Sequence, residues 1–204
     1  MTDDAIALAF TGASGAQYGL RLLEMLLKAE RRVYLMLSKP AQLVIGMETD
    51  LKLPSRAAEI EQFLTQHFSA KPGQLQVFSP EQWTAPVASG SAPIAAMVIC
   101  PCSMATLSAV ATGASRSLIE RAADVALKER RRLIIVPRET PFSAIHLENM
   151  LKLARLGVVV LPANPGFYHR PAKLDDIVDF VVARILDHLD VAHTLVPVWG
   201  EPAE

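Results

Sequence analysis

Cysteine is scarce in this chain of 204 residues, occurring only as Cys100 and Cys102. Two cysteines are too few for a disulfide framework, and their spacing fits neither a zinc site nor a C-x-x-C redox motif. The five histidines are scattered without the spacing of metal ligands. We therefore expect no bound metal.

The chain also lacks an excess of one charge and any long apolar run. A formal net charge of -1 gives no bulk attraction for nucleic acid. No apolar run approaches the ~20 residues that span a bilayer, and the charged start Met1–Asp4 is unlike a signal peptide. We expect a cytoplasmic protein with no nucleic-acid partner and no membrane span.

Hydrophobic residues are abundant, at 51% of the chain against 20% charged. This composition and length suit an ordinary α/β domain with a real core. Some of the apolar surface is expected to be buried between subunits, although an Ala- and Leu-rich core would explain the same composition. With no repeat and no linker, we predict one domain over residues 1–204.

Short apolar segments alternate with segments of helical periodicity. This alternation predicts an α/β fold, with a parallel sheet covered by helices on both faces. The predicted strands are Ala5–Phe10, Val33–Leu37, Met97–Cys100, Leu133–Val136 and Val158–Leu161. The predicted helices are Gly15–Ala29, Ala41–Met47, Ala57–Phe68, Thr106–Ala111, Leu118–Glu129, Ser143–Leu156 and Leu174–Leu189.

The loop Thr11–Ala16, directly after the first strand, is the most informative segment. Ligands of such sheets bind beyond the carboxyl ends of the strands. Small residues between a strand and a helix direct backbone N–H groups and the helix dipole at one point, which favours an anion and usually a phosphate. Ser14 in this loop has two interpretations, a helix N-cap or a contact with the ligand.

The same loop lacks the features of the common nucleotide motifs. It is not G-x-G-x-x-G, and Ser38 stands where an acid would hold a ribose, although Lys39 leaves a 2′-phosphate conceivable. No G-K-[ST] follows, and Ala16 replaces the last glycine of G-x-S-x-G. These departures favour a mononucleotide over a dinucleotide.

Other strand ends carry hydroxyls and charges. The segment Pro101–Thr106 is a second strand-to-helix turn, in which Ser103 is either a helix cap or part of a phosphate site. Arg138 and Glu139 suit a phosphate-binding fork beside a proton-transferring carboxyl, or else a rim salt bridge. The run Arg130–Arg132 is typical of positive charge at a helix C-terminus.

Two late aromatic residues also have open interpretations. Tyr168 is either part of the core or the wall of a pocket. Trp199 lies in a Pro-flanked tail, where it either anchors the C-terminus or lines a site. Aromatic faces stabilise cations, including an allylic carbocation.

Five segments together resemble the flavin prenyltransferases of the UbiX/Pad family, formerly called 3-octaprenyl-4-hydroxybenzoate carboxy-lyases. They are Gly12–Ala16, Pro101–Ser103, Arg121–Arg131, Val136–Pro141 and Phe167–Pro171. The resemblance implies a Rossmann-like flavoprotein fold assembled as a homododecamer. It implies transfer of a dimethylallyl group from dimethylallyl monophosphate to N5 of reduced FMN, ring closure at C6, and release of phosphate, without a metal. The product, prenylated FMN, would serve UbiD-type decarboxylases, including the one of ubiquinone biosynthesis.

The resemblance also implies which positions form the site. The FMN-binding positions are Gly12, Ala13, Ser14, Ser38, Ser103, Met104, Ala105, Thr106 and Arg138. The positions for the substrate phosphate are Lys128, Arg138, Glu139, Tyr168 and Arg184, with Lys128 reaching across a subunit interface. The C-terminal tail from about residue 190 is expected at the active site or at a subunit interface.

Each implied position has a chemical role that suits its residue type. Arg138, Arg184 and Lys128 would stabilise the leaving phosphate, and Glu139 would protonate it. Tyr168 and Trp199 would stabilise an allylic cation. Ser14 and Glu48 would handle the protons of ring closure.

Two other functions keep the fold. A flavin-dependent cysteine decarboxylase relies on a histidine after an early helix, and none occurs in Ala41–Asp50. A flavin carrier without catalysis would bind FMN equally well, so only turnover separates it from the enzyme.

Overall fold

The computed structural model describes residues 5–197 and Gly200. In them, the strands are β1 (Ala5–Phe10), β2 (Val33–Leu37), β3 (Leu75–Phe78), β4 (Ile94–Cys102), β5 (Arg132–Pro137) and β6 (Val159–Val160). The helices are α1 (Ala16–Lys28), α2 (Lys39–Glu48), α3 (Ala57–His67), α4 (Met104–Thr112), α5 (Leu118–Lys128), α6 (Ala144–Arg155) and α7 (Leu174–His188), with a short 3-10 helix at Pro86–Ala88.

The six strands form one parallel sheet in the order β3-β2-β1-β4-β5-β6. This is the strand order of the Rossmann fold, in which the chain reverses its direction of winding between β1 and β4. The predicted α/β fold is confirmed. The reversal leaves a crevice beyond the carboxyl ends of β1 and β4, where ligands of such sheets bind.

Helices cover both faces of the sheet because its central strands are apolar on both sides. Along β1, Ile6, Leu8 and Phe10 join a core with α1, α2, α3 and α7. The alternate residues Ala5, Ala7 and Ala9 join a second core with α4, α5 and α6, as the two-residue repeat of a strand requires.

Helix α1 approaches the sheet closely at Gly19. A Cβ atom there would lie 2.5 Å from the carbonyl oxygen of Cys100 and 2.8 Å from Cζ of Phe10. Only glycine permits this contact, so Gly19 fixes the height of α1 above the sheet.

The structure corrects the sequence predictions at three strands. The edge strand β3 was not predicted, since it has only four residues and follows the turn-forming segment Lys71–Gln74. Strand β4 continues through Pro101 to Cys102 rather than ending at Cys100. Strand β6 is shortened to Val159–Val160.

Two further expectations concern membranes and the tail. No helix in residues 5–197 has the length and apolar character that crossing a membrane requires. The proposed role of Trp199 concerns a residue outside those the structure describes.

Candidate functional site

Hydrogen bonds join the loops that follow four neighbouring strands. At the β1 end, the Phe10 carbonyl accepts from the Ser38 N–H at 3.1 Å. The hydroxyl of Thr11 accepts from the Ser103 N–H at 2.7 Å. Beyond β5, the Arg138 N–H donates to the Cys102 carbonyl at 3.3 Å. The predicted segments after β1, β2, β4 and β5 therefore meet at one edge of the sheet.

The N-terminus of α1 already holds an anion supplied by the chain. One carboxylate oxygen of Glu48 accepts hydrogen bonds from the N–H groups of Gly15, at 2.8 Å, and Ala16, at 2.9 Å. The N-cap residue is Gly15, with φ at 104° and no side-chain cap. The interpretation of Ser14 as the N-cap is therefore wrong.

Glu48 is a carboxylate held in place by donors. Partial burial raises its pKa, but hydrogen bonds from the Ser14 side chain and from the Ala16 and Gly15 backbone lower it, with help from the charge of Arg138. The net pKa lies below the ordinary value of 4.5. At neutral pH this group is ionised, which equips it to accept a proton rather than to donate one.

Arg138 brings the end of β5 to the same place. Its Nε donates to the carbonyl oxygen of Ser14 at 3.1 Å. Arg138, Ser14 and Glu48 line a pocket of about 440 Å³. The pocket is completed by Gly15, Gln17, Tyr18, Ala163, Leu174 and Val178.

Tyr18 is a lining residue that the sequence analysis missed. Burial raises its pKa, the neighbouring Cys100 adds to the rise, and Arg138 opposes it. The phenol is therefore neutral at physiological pH. Its position three residues beyond Gly15, on the first turn of α1, is the signal from which it could have been predicted.

Ser38 and Ser103 each cap a helix that begins at this edge. The Ser38 hydroxyl accepts from the Ala41 N–H at 3.1 Å, and the Ser103 hydroxyl accepts from the Thr106 N–H at 3.3 Å. The interpretation of Ser103 as a helix cap is thus confirmed. The cap leaves the N–H groups of Met104 and Ala105 without partners inside α4, so they can receive an anion.

Close packing sets the position of the first loop against α2. A Cβ atom on Gly12 would lie 2.5 Å from the Cβ atom of Pro40, which follows Ser38 by two residues. Gly12 therefore brings the loop and the start of α2 together.

These residues fit the phosphate-bearing end of a mononucleotide. Ser38, Ser103 and Thr106 supply hydroxyl groups, α4 supplies N–H groups at its positive end, and Arg138 supplies a cation. The donors lie on both sides of the crevice between β1 and β4. FMN is a ligand of this kind.

Glu139 lies beside Arg138 without pairing with it. Its Oε1 accepts from the Thr140 N–H at 3.1 Å. Among residues 5–197 we find no ion pair between Arg138 and Glu139. The rim salt bridge is absent there, and both side chains remain at the edge that carries the pocket.

Lys128 and Arg184 are not brought to this pocket within one chain. Lys128 ends α5, pairs with Glu129, and precedes β5, whereas Arg138 follows the far end of that strand. Six residues of strand separate the two positions by about 20 Å. Arg184 lies ten residues beyond Leu174 on α7, about 15 Å along the helix, and its Nη1 contacts Asp187 at 2.5 Å.

Tyr168 is 52% exposed in the segment between β6 and α7. Its ring meets Phe180 edge-on at 5.7 Å and His169 at 5.8 Å. The described residues that line the Ser14 pocket do not include Tyr168. One chain therefore places Ser14, Glu48 and Arg138 around the pocket, with Glu139 next to Arg138 in the sequence, whereas Tyr168, Lys128 and Arg184 are not among the lining residues.

The two cysteines and Arg132 have structural rather than catalytic roles. Burial raises the pKa values of the thiols of Cys100 and Cys102, so neither provides a thiolate nucleophile. The guanidinium of Arg132 donates to the carbonyl of His188 at the end of α7. This contact places the charge of Arg132 at the C-terminus of α7 rather than at that of α5, the helix that precedes the arginine run.

Comparison with known proteins identifies relatives over nearly the full chain. The Flavoprotein family profile matches residues 1–186. The chain is 61% identical to "Flavin prenyltransferase UbiX" of Pseudomonas aeruginosa over 198 residues, which cover 97% of this chain and 95% of that protein.

Solved structures give the same result. AnUbiX (PadA1), in complex with FMN and dimethylallyl pyrophosphate, matches with a TM-score of 0.86 and 38% identity, covering 98% of this chain and 99% of that one. A dodecameric FMN-dependent UbiX-like decarboxylase from Escherichia coli O157:H7 matches with a TM-score of 0.84 and 39% identity, covering 97% of this chain and 100% of that one.

Proposed function

The chain belongs to the UbiX/Pad family of flavoproteins, and from this premise we propose that it prenylates reduced FMN with dimethylallyl monophosphate. The C1–O bond of the dimethylallyl phosphate breaks as C1 bonds to N5 of the flavin, N5 loses its proton, and phosphate leaves. The prenyl double bond then takes up a proton at C2 as its C3 bonds to C6 of the flavin, and C6 loses its own proton. The observation that carries the proposal is the placement of Arg138, Ser14 and Glu48 around one pocket beyond the carboxyl ends of β1 and β5.

FMN supplies the nucleophilic N5 atom, and the residues of the chain bind and orient it. Ser38, Ser103 and Thr106, with the N–H groups of Met104 and Ala105, form the donor set for its phosphate. The loop residues Gly12, Ala13 and Ser14 border the same crevice. Among the described residues, no hydrogen bond occupies the N–H groups of these three, which leaves them as donors for the ligand.

The leaving phosphate needs positive charge and a proton. Arg138 supplies a cation at the edge of the pocket, and the adjacent Glu139 is assigned as the proton donor to the departing oxygen. Lys128 and Arg184 are further cations for this phosphate, and Tyr168 is assigned to bind the substrate. We propose that these groups stabilise the phosphate without a metal ion.

Ser14 and Glu48 are assigned to the protons of ring closure. Glu48 is ionised at neutral pH, so its carboxylate is available to take a proton through the Ser14 hydroxyl that donates to it. Trp199 is proposed to face the allylic group together with Tyr168.

Separation of the cationic residues within one chain supports a site shared between subunits. Lys128 precedes β5 and Arg138 follows it, so the two residues lie at opposite ends of the strand. A second copy of the chain must therefore supply Lys128. Exposed apolar side chains are available for such contacts: Leu43 and Met47 on α2 are 69% and 85% exposed. We propose a homododecamer, the assembly named for the Escherichia coli relative, with a tail from about residue 190 at the site or interface.

Anaerobic turnover tests the proposal. Reduced FMN and dimethylallyl monophosphate are incubated with the protein, and the flavin is analysed by mass spectrometry for an added five-carbon unit. Parallel reactions contain dimethylallyl pyrophosphate or EDTA. Product from the monophosphate that persists in EDTA is expected, whereas absence of product from both prenyl donors would overturn the enzyme and favour a flavin carrier. Supply of the product to a UbiD-type decarboxylase is tested by activating that apoenzyme.

A further inference from the structure

Thr11 joins the two loops that border the β1–β4 crevice. Its hydroxyl donates to the carbonyl oxygen of Pro101 at 2.9 Å and accepts from the N–H of Ser103 at 2.7 Å. Its own N–H donates to the same Pro101 carbonyl at 3.2 Å. The residue is 2% exposed and is the one buried polar side chain found in residues 5–197.

These contacts use the donor and one acceptor position of the Thr11 hydroxyl. A threonine hydroxyl offers one donor and a small number of acceptor positions, and here the donor and an acceptor both engage the β4 loop. Burial at 2% keeps it from the solvent. It therefore does not touch a ligand, and any influence on binding acts through the loops.

The two loops carry the donors assigned to FMN. Gly12, Ala13 and Ser14 follow Thr11 directly, and Ser103 begins α4, whose first turn contains Met104, Ala105 and Thr106. The strand hydrogen bonds of β1 and β4 stop before these segments. The tether through Thr11 is thus the connection that sets the distance between the donors on the two sides of the crevice.

We propose that Thr11 is a positioning residue for flavin binding: its hydroxyl holds the first loop and the N-terminus of α4 at the separation that the mononucleotide requires. The inference rests on the proposed function, because it assumes that the ligand bridges both loops. It concerns the hydroxyl rather than the methyl group, which packs in the interior.

Two matched pairs of proteins separate the hydroxyl from the packing. The parent and Thr11→Val differ by exchange of the hydroxyl for a methyl group of similar size. Thr11→Ser and Thr11→Ala differ by the hydroxyl alone. Thr112→Val serves as the control, because its hydroxyl bonds to backbone carbonyls at the far, exposed end of α4.

The readouts are the Kd for oxidised FMN, from quenching of flavin fluorescence, the amide exchange rate of Ser103, and the thermal midpoint. Loss of one buried hydrogen bond corresponds to about a tenfold change in an equilibrium constant. We expect Thr11→Val and Thr11→Ala to bind FMN about tenfold more weakly and to exchange the Ser103 amide faster. Thr11→Ser should keep the Kd within about twofold despite a lower thermal midpoint, since it retains the hydrogen bonds.

Equal FMN affinity in Thr11→Val and the parent, or equal losses in Thr11→Ser and Thr11→Ala, would overturn the inference. If one substituted protein does not fold, the other pair decides. Failure of the parent to prenylate FMN that it binds would overturn the proposed reaction and leave the result on Thr11 intact. Failure of the parent to bind FMN would overturn both.

Discussion

Glu48 accepts a 2.8 Å hydrogen bond from the backbone N–H of Gly15, 33 residues earlier in the chain. The contact links the end of α2 to the start of α1 and places a carboxylate where the positive end of α1 would otherwise attract a ligand phosphate. The N-termini of α1 and α4 therefore have different roles at the crevice. We propose that a ligand phosphate binds at the start of α4, while the start of α1 orients the Glu48 carboxylate beside Ser14.

Glu48→Gln tests this contact through stability. An amide loses the charge that the two N–H groups and the helix dipole favour, so we expect a loss of about 1 kcal/mol at pH 7. The measurement is urea unfolding across the acidic range. Asp50→Asn, at an exposed carboxylate two positions further along, is the matched control and should leave the pH dependence of the parent unchanged.

The sign of the pH effect follows from the lowered pKa of Glu48. The contribution of the carboxylate is fully present above its ordinary pKa of 4.5 and is lost as the pH falls through the lower pKa of the folded protein. The difference between the parent and Glu48→Gln should therefore shrink below about pH 4.5. A difference that stays constant down to pH 2 would show that the charge contributes nothing.

Sequence periodicity predicted most of the architecture because the strands and helices of this chain carry strong patterns. Strand β1 and strand β2 have the predicted bounds. β3 escaped prediction because its four residues at the edge of the sheet carry little signal. The close approach at Gly19 escaped because a helical glycine gives no indication of what it faces.

Sequence reasoning anticipated which loops after strands meet at one end of the sheet, and it was limited elsewhere. Topology alone places Ser14, Ser103 and Arg138 at one edge. The hydrogen bonds from Glu48 to the start of α1 depend on how α2 packs, which no local pattern encodes. The positions of Lys128 and Arg184 were carried by family resemblance, and the fold of one chain cannot bring them to the pocket.

Gly12→Ala is expected to disturb flavin binding by steric crowding. The added Cβ would lie 2.5 Å from Pro40, which must move together with the start of α2 and Ser38. We expect a destabilisation of about 1–3 kcal/mol and a weaker Kd for FMN, measured by denaturation and by fluorescence quenching. The control is Gly46→Ala in α2, the helix that contains Pro40. No atom lies within 4 Å of a Cβ atom built on Gly46.

Gly46→Ala should have the opposite effect on stability. It replaces glycine inside α2, which favours the folded state by about 0.5–1 kcal/mol. Flavin affinity should remain that of the parent. If both alanine substitutions stabilise the protein, the close packing of Gly12 on Pro40 is not a constraint in solution.

Arg138→Lys tests whether the planar guanidinium is needed. Lysine keeps the charge but cannot hold the Ser14 carbonyl and a phosphate oxygen at fixed angles. We expect kcat/KM for dimethylallyl monophosphate to fall at least tenfold, since charged hydrogen bonds contribute about 1.5–3 kcal/mol. Arg155→Lys, at the exposed end of α6, is the control. A parental kcat/KM in Arg138→Lys would reduce the role of Arg138 to charge alone.

Lys128→Gln provides a test of a site shared between subunits. Lys128 and Glu139 lie at opposite ends of β5, so one active site would take each of them from a different copy of the chain. Lys128→Gln and Glu139→Gln assemblies should each prenylate reduced FMN at least tenfold more slowly than the parent, because the first lacks a cation and the second lacks the proton donor assigned to the phosphate.

Assemblies that contain both kinds of subunit should recover activity. When the two variants are co-expressed with different affinity tags and purified through both, some interfaces combine an intact Lys128 with an intact Glu139. The prenylation rate of the mixed assembly, followed by mass spectrometry, should exceed the rate of either variant alone by several-fold. A co-assembly of Lys128→Gln with Lys128→Ala cannot form such an interface and should stay inactive. If the mixed assembly of Lys128→Gln and Glu139→Gln is no faster than this control, Lys128 does not act across a subunit boundary, because only a shared site gains from mixing.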